Sequence, residues 1–181
     1  MPESNESIKE KIAFLFDVLK RYDHYIGTTN FKVGLMMSFL GTIILGLVIR
    51  VISPAPDQNT TGCLYISVKI FTVLTILCAI VAAIKLLMAV FPNTNNPVNK
   101  KSLIFFGDVS SCENGSDGYF ERIKDSEIDD LLKDLSNQTY AVAGVVSEKF
   151  RILKLAVRII IFAVMPLLTV TLLLLIAESF K

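Results

Sequence analysis

The sequence has few of the residues from which enzymes build active sites. Its single histidine, His24, lies in a tyrosine-rich stretch, where a histidine is more often a surface or packing residue than a catalyst. Its three cysteines, Cys63, Cys78 and Cys112, lie far apart, which argues against a metal site and against an intrachain disulfide. It contains no glycine-rich phosphate loop and no nucleophile elbow. We therefore predict that the chain is not an enzyme and that it uses no cofactor and no metal.

Acidic residues are missing from the three longest apolar runs, which lie at residues 33–52, 64–90 and 155–176. Each run is long enough to cross a hydrocarbon core about 30 Å thick, which takes about 20 residues of helix. Hydrophobic residues make up 52% of the chain and are concentrated in these runs. The sequence therefore predicts three transmembrane helices, without the intramembrane carboxylates that a proton relay or a cation path would use.

Basic residues are distributed unevenly around the three runs. Five precede the first run and eight lie between the second and the third, whereas the turn after the first run has none and the C-terminal tail has only Lys181. The positive-inside rule then places the N-terminus and the large insert in the cytosol, and the short turn and the C-terminus outside. No cleaved signal peptide is expected, because residues 1–30 lack its apolar core.

The predicted fold is an all-α membrane protein, with three transmembrane helices and a small, mainly helical cytosolic insert between the second and the third. The predicted segments are an amphipathic cytosolic helix at 1–30, transmembrane helix 1 at 31–52, an external turn at 53–63, transmembrane helix 2 at 64–90, the cytosolic insert at 91–154, transmembrane helix 3 at 155–177 and an external tail at 178–181.

The insert combines turn-forming stretches with short apolar ones. We expect a turn region at 91–102, a strand or buried turn at 103–107, a loop at 111–118 and a helix at 119–135. From residue 137 a further helix is predicted to continue into the third span. The acidic residues of the helix at 119–135 are expected to form a solvated face rather than a metal site. They are Asp125, Asp129, Asp130 and Asp134.

An apolar stripe runs along the N-terminal helix. It consists of Ile8, Ile12, Leu15, Leu19 and Tyr22, at spacings of four and three. Such a stripe can lie on lipid headgroups, pair with the helices of the insert or form a self-associating seam. The sequence leaves these three alternatives open.

Small residues follow one side of the first span, at Gly34, Ser38, Gly41 and Gly46. They let helix backbones approach closely, either within one subunit or between subunits. A weaker stripe in the second span consists of Cys78, Ala79, Ala82 and Ala83. Pro166, near the middle of the third span, predicts a kink.

The insert also carries cations close to aromatic rings. Cations can neutralise a phosphate, and aromatic faces can stack a base. The candidate ligand-binding residues are Lys100, Lys101, Ser102, Phe105, Phe106, Tyr119, Arg122 and Lys124. The alternative is that the two lysines meet anionic lipid headgroups and the phenylalanines fill the small core of the insert.

Several short elements occur in a characteristic order along residues 22–176. They are Thr29-Asn30-Phe31-Lys32 before the first span, Pro92 after the second, Ser102-Leu103-Ile104-Phe105-Phe106-Gly107 in the insert, and Gln138, Tyr140, Ala141, Lys149, Phe150 and Leu153 in the helix that leads to the third. This pattern resembles the transmembrane effectors of Pycsar, a bacterial antiphage system that signals with cyclic pyrimidine mononucleotides. Two positions depart from that family, since Asn30 stands where aspartate is usual and Asp108 where histidine is common.

The resemblance implies a homo-oligomeric effector in the bacterial inner membrane. Its insert is expected to bind cyclic UMP, cyclic CMP or a related cyclic oligonucleotide, after which its helices impair the bilayer and arrest the infected cell. No binding of DNA or RNA is expected. Two other functions stay open from the residues alone: a membrane scaffold or assembly factor whose insert binds a protein partner, and a constitutive oligomeric channel.

Overall fold

The computed structural model describes residues 5–52, 63–91 and 102–180. The chain divides into two compact units. One, which we call the head unit, comprises the described residues of Met1–Thr28 and Asn93–Ser147; the other, the membrane unit, comprises those of Thr29–Pro92 and Glu148–Lys181.

Helices account for nearly all of the described chain, and no strand occurs in that part of it. The elements are α1 (Asn5–Ile52), α2 (Cys63–Val90), α3 (Phe106–Ser110), α4 (Gly115–Lys124), α5 (Ile128–Ile159), a π-helical turn (Ile160–Val164) and α6 (Met165–Ser179). Within the described residues, three helices are long and apolar enough to cross a membrane, and they are Glu6–Ile52, Leu64–Val90 and Ile128–Ser179. The predicted fold class, three such helices with a smaller helical region between the second and the third, is confirmed.

The insert is more helical than its composition indicates. The prediction of a strand or buried turn at 103–107 is wrong for the last two residues, which begin α3. The loop predicted at 111–118 ends early, because Asn114 and Gly115 adopt positive φ values of 63° and 60° and turn the chain directly into α4. The helix predicted at 119–135 is two helices, α4 and α5. They separate where Ser126 turns its hydroxyl back to the carbonyl of Arg122, a local bond that competes with helix propagation.

The helix of the third span begins in the insert, as predicted, and runs from α5 through the π-helical turn into α6. The irregular turn lies immediately before Pro166, whose ring crowds the carbonyl four residues earlier. There the amide of Met165 donates to the carbonyl of Ile160, five residues back, instead of four. The wider turn accommodates the proline without ending the helix.

Small side chains of α2 form the centre of the membrane unit. Ala79, Ala82 and Ala89 have no exposed surface and pack in one cluster with Leu40 of α1 and Val164 of the π-helical turn. The stripe predicted in the second span is therefore used within the subunit, since alanine allows the close approach of neighbouring backbones.

The small-residue stripe of the first span faces the other way. Gly34, Ser38, Gly41 and Gly46 are exposed on the surface of the chain. Apart from the adjoining residues and the backbone of α1 itself, no atom of the described chain lies within 4 Å of the place that a Cβ would take on any of the three glycines. In the residues that the structure describes, this stripe is not used for packing within the subunit, and a contact between subunits stays a prediction.

Polar contacts also join helices of the membrane unit. The buried hydroxyls of Thr75 in α2 and Thr171 in α6 lie 3.0 Å apart. At the C-terminal end of α1, Nη2 of Arg50 lies 2.6 Å from Oε2 of Glu178. Within an apolar medium, hydroxyl contacts of this kind contribute about 0.6 kcal/mol on average.

We expect Thr171→Val to remove the contact with Thr75 and to lower the free energy of unfolding by about 0.6 kcal/mol, and by no more than about 1.7 kcal/mol. The measurement is circular dichroism during unfolding of the purified protein in mixed detergent micelles. Thr169→Val is the matched control, because the hydroxyl of exposed Thr169 donates to the carbonyl of Met165 in its own helix. Equal losses in both variants would contradict a role for the contact between helices.

Candidate functional site

Ser102 lies at the centre of a polar network in the head unit, and only 4% of its surface is exposed. Its hydroxyl donates to Oδ2 of Asp134 at 3.0 Å. The hydroxyl oxygen of Ser102 also accepts hydrogen bonds from the amides of Ile104 and Phe105, at 3.1 and 3.0 Å, and from the side-chain amide of Gln138 at 3.1 Å. The hydroxyl therefore joins the chain before α3 to the side chains of α5.

Two carboxylates hold the backbone next to Ser102. Oδ2 of Asp134 also accepts the amide of Leu103 at 2.8 Å, and Oδ2 of Asp108 accepts the amide of Ser102 at 2.8 Å. Tyr119 donates its phenolic O–H to the carbonyl of Leu103, again at 2.8 Å. Hydrogen bonds to ionised acceptors are roughly twice as strong as neutral ones. Residues 102–105 are thus fixed to α3, α4 and α5 without belonging to a helix.

The structure brings together four of the eight residues predicted to bind a ligand: Ser102, Phe105, Phe106 and Tyr119. The hydroxyls of Ser102 and Tyr119 are engaged in the network. The rings of Phe105 and Phe106 lie 4.7 Å apart between centroids, and Phe106 is 73% exposed.

The remaining predicted ligand residues are cations. Arg122 follows Tyr119 by three residues along α4 and is half-buried, with Nη1 at 3.7 Å from Sγ of Cys112. Lys124 is exposed at the end of α4. Lys100 and Lys101 lie outside the described residues.

Three members of the network were not predicted as site residues: Asp108, Asp134 and Gln138. Asp134 was assigned to a solvated acidic face, and that interpretation is wrong, since its carboxylate binds Ser102 and the amide of Leu103. Its position next to apolar Leu135 in the helical pattern gave no sign of a buried partner. Among the described residues no group of three or more histidine, cysteine or acidic side chains is arranged to hold a metal ion.

An apolar cleft lies beside the network. It has a volume of about 230 Å³ and is lined by Ile12, Phe16, Leu103, Ile104, Tyr119, Ile123, Leu131 and Leu135. Two of these residues belong to α1, and one of them, Ile12, is a member of the N-terminal stripe, so the cleft places this part of the stripe beside the insert, as in one of the three alternatives that the sequence leaves open. The walls of the cleft are almost entirely apolar, so the cleft is suited to a flat, weakly polar group rather than to a phosphate.

A buried cation marks the membrane unit. Lys149 of α5 is 4% exposed, and its ammonium donates to Oδ1 of Asn30 at 3.0 Å and to the carbonyl of Val90 at 3.1 Å. The position precedes the third apolar run by six residues. Removal of the ammonium from water disfavours its charged form, so its two oxygen acceptors matter for its stability in this position. The neighbouring Glu148 does not compensate this charge, because it is bonded by Arg151 at 2.6 and 2.7 Å.

Comparison with known proteins gives two matches. The family model of the Pycsar effector protein domain matches residues 14–176. The chain is 30% identical over 152 residues to the Pycsar effector protein EcPycTM of Escherichia coli, and the match covers 80% of each chain. No solved structure matches the chain.

We expect Asp134→Asn to loosen residues 102–105. Loss of the charged acceptor removes about 1.5–3 kcal/mol for a hydrogen bond to an ionised group, which corresponds to amide exchange about 10- to 100-fold faster. Hydrogen–deuterium exchange of the peptide that contains Leu103 to Phe105 measures this. Asp130→Asn is the matched control, because Asp130 is exposed on the same helix. Unchanged exchange in Asp134→Asn would show that the network does not hold the segment.

Proposed function

The chain belongs to the family of Pycsar effector proteins, and on that basis we propose that a cyclic nucleotide activates it to impair the inner membrane of an infected bacterium. The match of the family model to residues 14–176 carries this proposal, because it includes most of the head unit and all three apolar runs. The N-terminus and the head unit are cytosolic and the C-terminus is external, in agreement with the distribution of basic residues. The chain performs no reaction of its own.

The nucleotide binds to the head unit. The apolar cleft next to Tyr119 takes the base, since stacking on an aromatic face contributes about 1–3 kcal/mol per base. Arg122 and Lys124 of α4, together with Lys100 and Lys101, neutralise the phosphate. The support for this arrangement is that Tyr119 lines the cleft while Arg122 follows one turn later on the same helix. Cyclic UMP, cyclic CMP and related cyclic oligonucleotides share the required chemistry of a base and an anionic phosphate.

Ligand binding shifts the effector between a resting and an active state. A ligand can do this only by binding the two states with different affinity, and a change from 1:99 to 99:1 takes a ratio of about 10⁴. The network around Ser102 is a suitable element for such a difference, because it joins three helices of the head unit through two hydroxyls and two carboxylates. Pro166 and the adjoining π-helical turn give the third span a place at which its backbone bonds can rearrange.

The active form is a homo-oligomer in which the first spans pack against one another. The exposed stripe of Gly34, Ser38, Gly41 and Gly46 supports this, since no side chain of the described residues lies where a Cβ of the three glycines would be. Backbones that meet at small residues gain van der Waals contact, which is the main source of helix association in lipid. Many such contacts, repeated around a ring or cluster, disturb the bilayer around them.

Dye release from liposomes tests the proposed function. The purified protein is inserted into phosphatidylethanolamine and phosphatidylglycerol liposomes, and cyclic UMP, cyclic CMP and a panel of cyclic dinucleotides are added separately. We expect release with one nucleotide class and none without nucleotide. Release without any ligand would indicate a constitutive channel, and no release with correctly inserted protein would favour a scaffold.

The cationic part of the site is tested in the same assay. We expect Arg122→Ala combined with Lys124→Ala to raise the nucleotide concentration for half-maximal release about tenfold or more, because a hydrogen bond to a charged group contributes about 1.5–3 kcal/mol. Lys133→Ala is the control, since Lys133 is an exposed cation of the head unit outside the site. Equal shifts in both variants would show that the effect comes from the net charge of the head unit and not from contacts of Arg122 and Lys124 with the phosphate.

Chemical cross-linking tests the proposed contact between the first spans of neighbouring subunits. We expect Gly41→Leu to lower the fraction of cross-linked oligomer in liposomes with nucleotide, because the new side chain keeps the backbones apart. Thr169→Leu adds a similar side chain to an exposed position of the third span and serves as control. Unchanged cross-linking in Gly41→Leu would place the contact elsewhere.

A further inference from the structure

Three helices of the membrane unit meet at Lys149, close to the cytosolic ends of the three apolar runs. Asn30 precedes the first run by three residues, Val90 ends the second, and Lys149 precedes the third by six. The ammonium contacts the side chain of Asn30 in α1 and the last carbonyl of α2. That carbonyl has no partner within its own helix, and the C-terminal end of a helix attracts cations. One side chain therefore connects all three spans at one level.

The acceptors of the Lys149 ammonium are unusual for a contact that serves only to stabilise the fold. A buried cation is stabilised best by a carboxylate, and replacing a buried polar group by a well-packed apolar one is often neutral or favourable. Here both acceptors are neutral oxygens, and within the described part of the chain no acidic side chain forms an ion pair with Lys149. The contacts of Lys149 therefore hold the three helices together, but its ammonium would be better solvated in water.

We propose that Lys149, Asn30 and the end of α2 form a weak clamp that holds the resting state and opens on activation, when the ammonium becomes hydrated. This inference rests on the proposed function, since it assumes a resting and an active state. The clamp is a conformational device rather than a ligand site. Its weakness sets how much nucleotide is needed, because part of the binding free energy separates these contacts.

Substitutions of Asn30 change the strength of the clamp in both directions. Asn30→Asp supplies a carboxylate to the buried ammonium and strengthens the resting state. We expect the nucleotide concentration for half-maximal dye release to rise at least tenfold while maximal release stays the same. Asn30→Ala removes one of the two acceptors, and we expect that concentration to fall at least threefold. A residue that only stabilises the fold would change maximal release or yield instead of shifting the threshold in opposite directions.

Matched controls separate the clamp from effects of charge and helix propensity. Thr28→Asp and Thr28→Ala place the same side chains on exposed Thr28, two residues earlier in α1. We expect both controls to leave the threshold within twofold of the unsubstituted protein. Combining Asn30→Asp with Lys149→Met is expected to abolish the tenfold shift, since the carboxylate then has no cation to bind. Thresholds that move alike in the Asn30 and Thr28 variants would overturn the clamp.

A second measurement needs no nucleotide and keeps the two proposals distinguishable. Reductive methylation of lysines, followed by mass spectrometry, reports how often the ammonium of Lys149 reaches water. We expect Lys149 to be methylated at least tenfold more slowly than exposed Lys133 in the unsubstituted protein, faster in Asn30→Ala and more slowly in Asn30→Asp. If no nucleotide releases dye, the proposed function fails. Equal methylation of Lys149 in all three proteins would overturn the clamp, whatever the dye-release assay shows.

Discussion

A hydrocarbon core offers no hydrogen bonds to a peptide backbone, and this constraint shapes the whole molecule. Each apolar run must satisfy its backbone internally, so each is a helix, and the helix ends fall where water or a polar side chain can take over. The carbonyl of Val90 illustrates the consequence, because the buried ammonium of Lys149 takes the place of water at the end of α2. Even the irregular turn before Pro166 keeps the chain helical by accepting from an amide five residues on.

The head unit meets a different constraint, since it has few residues with which to build an apolar core. A small core contributes little stability, and such units need additional fixed contacts. The network around Ser102 supplies them by using charged acceptors for backbone amides that no helix satisfies. It leaves the neighbouring cleft apolar. The polar contacts that fix the chain and the apolar walls of the cleft thus lie in adjacent parts of the same unit.

Much of the architecture could be predicted because it depends on local patterns. Length and apolar composition define the spans, and the stripe of Ile8 and Ile12 follows the helical period. The site depends on contacts between distant residues, and there prediction was incomplete. Nothing near Asp134 in the sequence indicates that its partner is Ser102, 32 positions away. Likewise Lys149 looks like a positive residue of a cytosolic helix, and only the fold brings it to Asn30, 119 positions away.

The two small-residue stripes show how the same pattern acquires different meanings from its surroundings. In α2 the alanines are enclosed, so their size allows three helices to share one core. In α1 no atom of the described residues fills the place that a Cβ would take on the glycines, although glycine lowers helix stability by about 0.5–1 kcal/mol per residue relative to alanine. The helix stability lost at each of these exposed glycines is not regained through packing among the described residues of the subunit. It is offset if another helix approaches that side, because only there does a missing side chain increase contact.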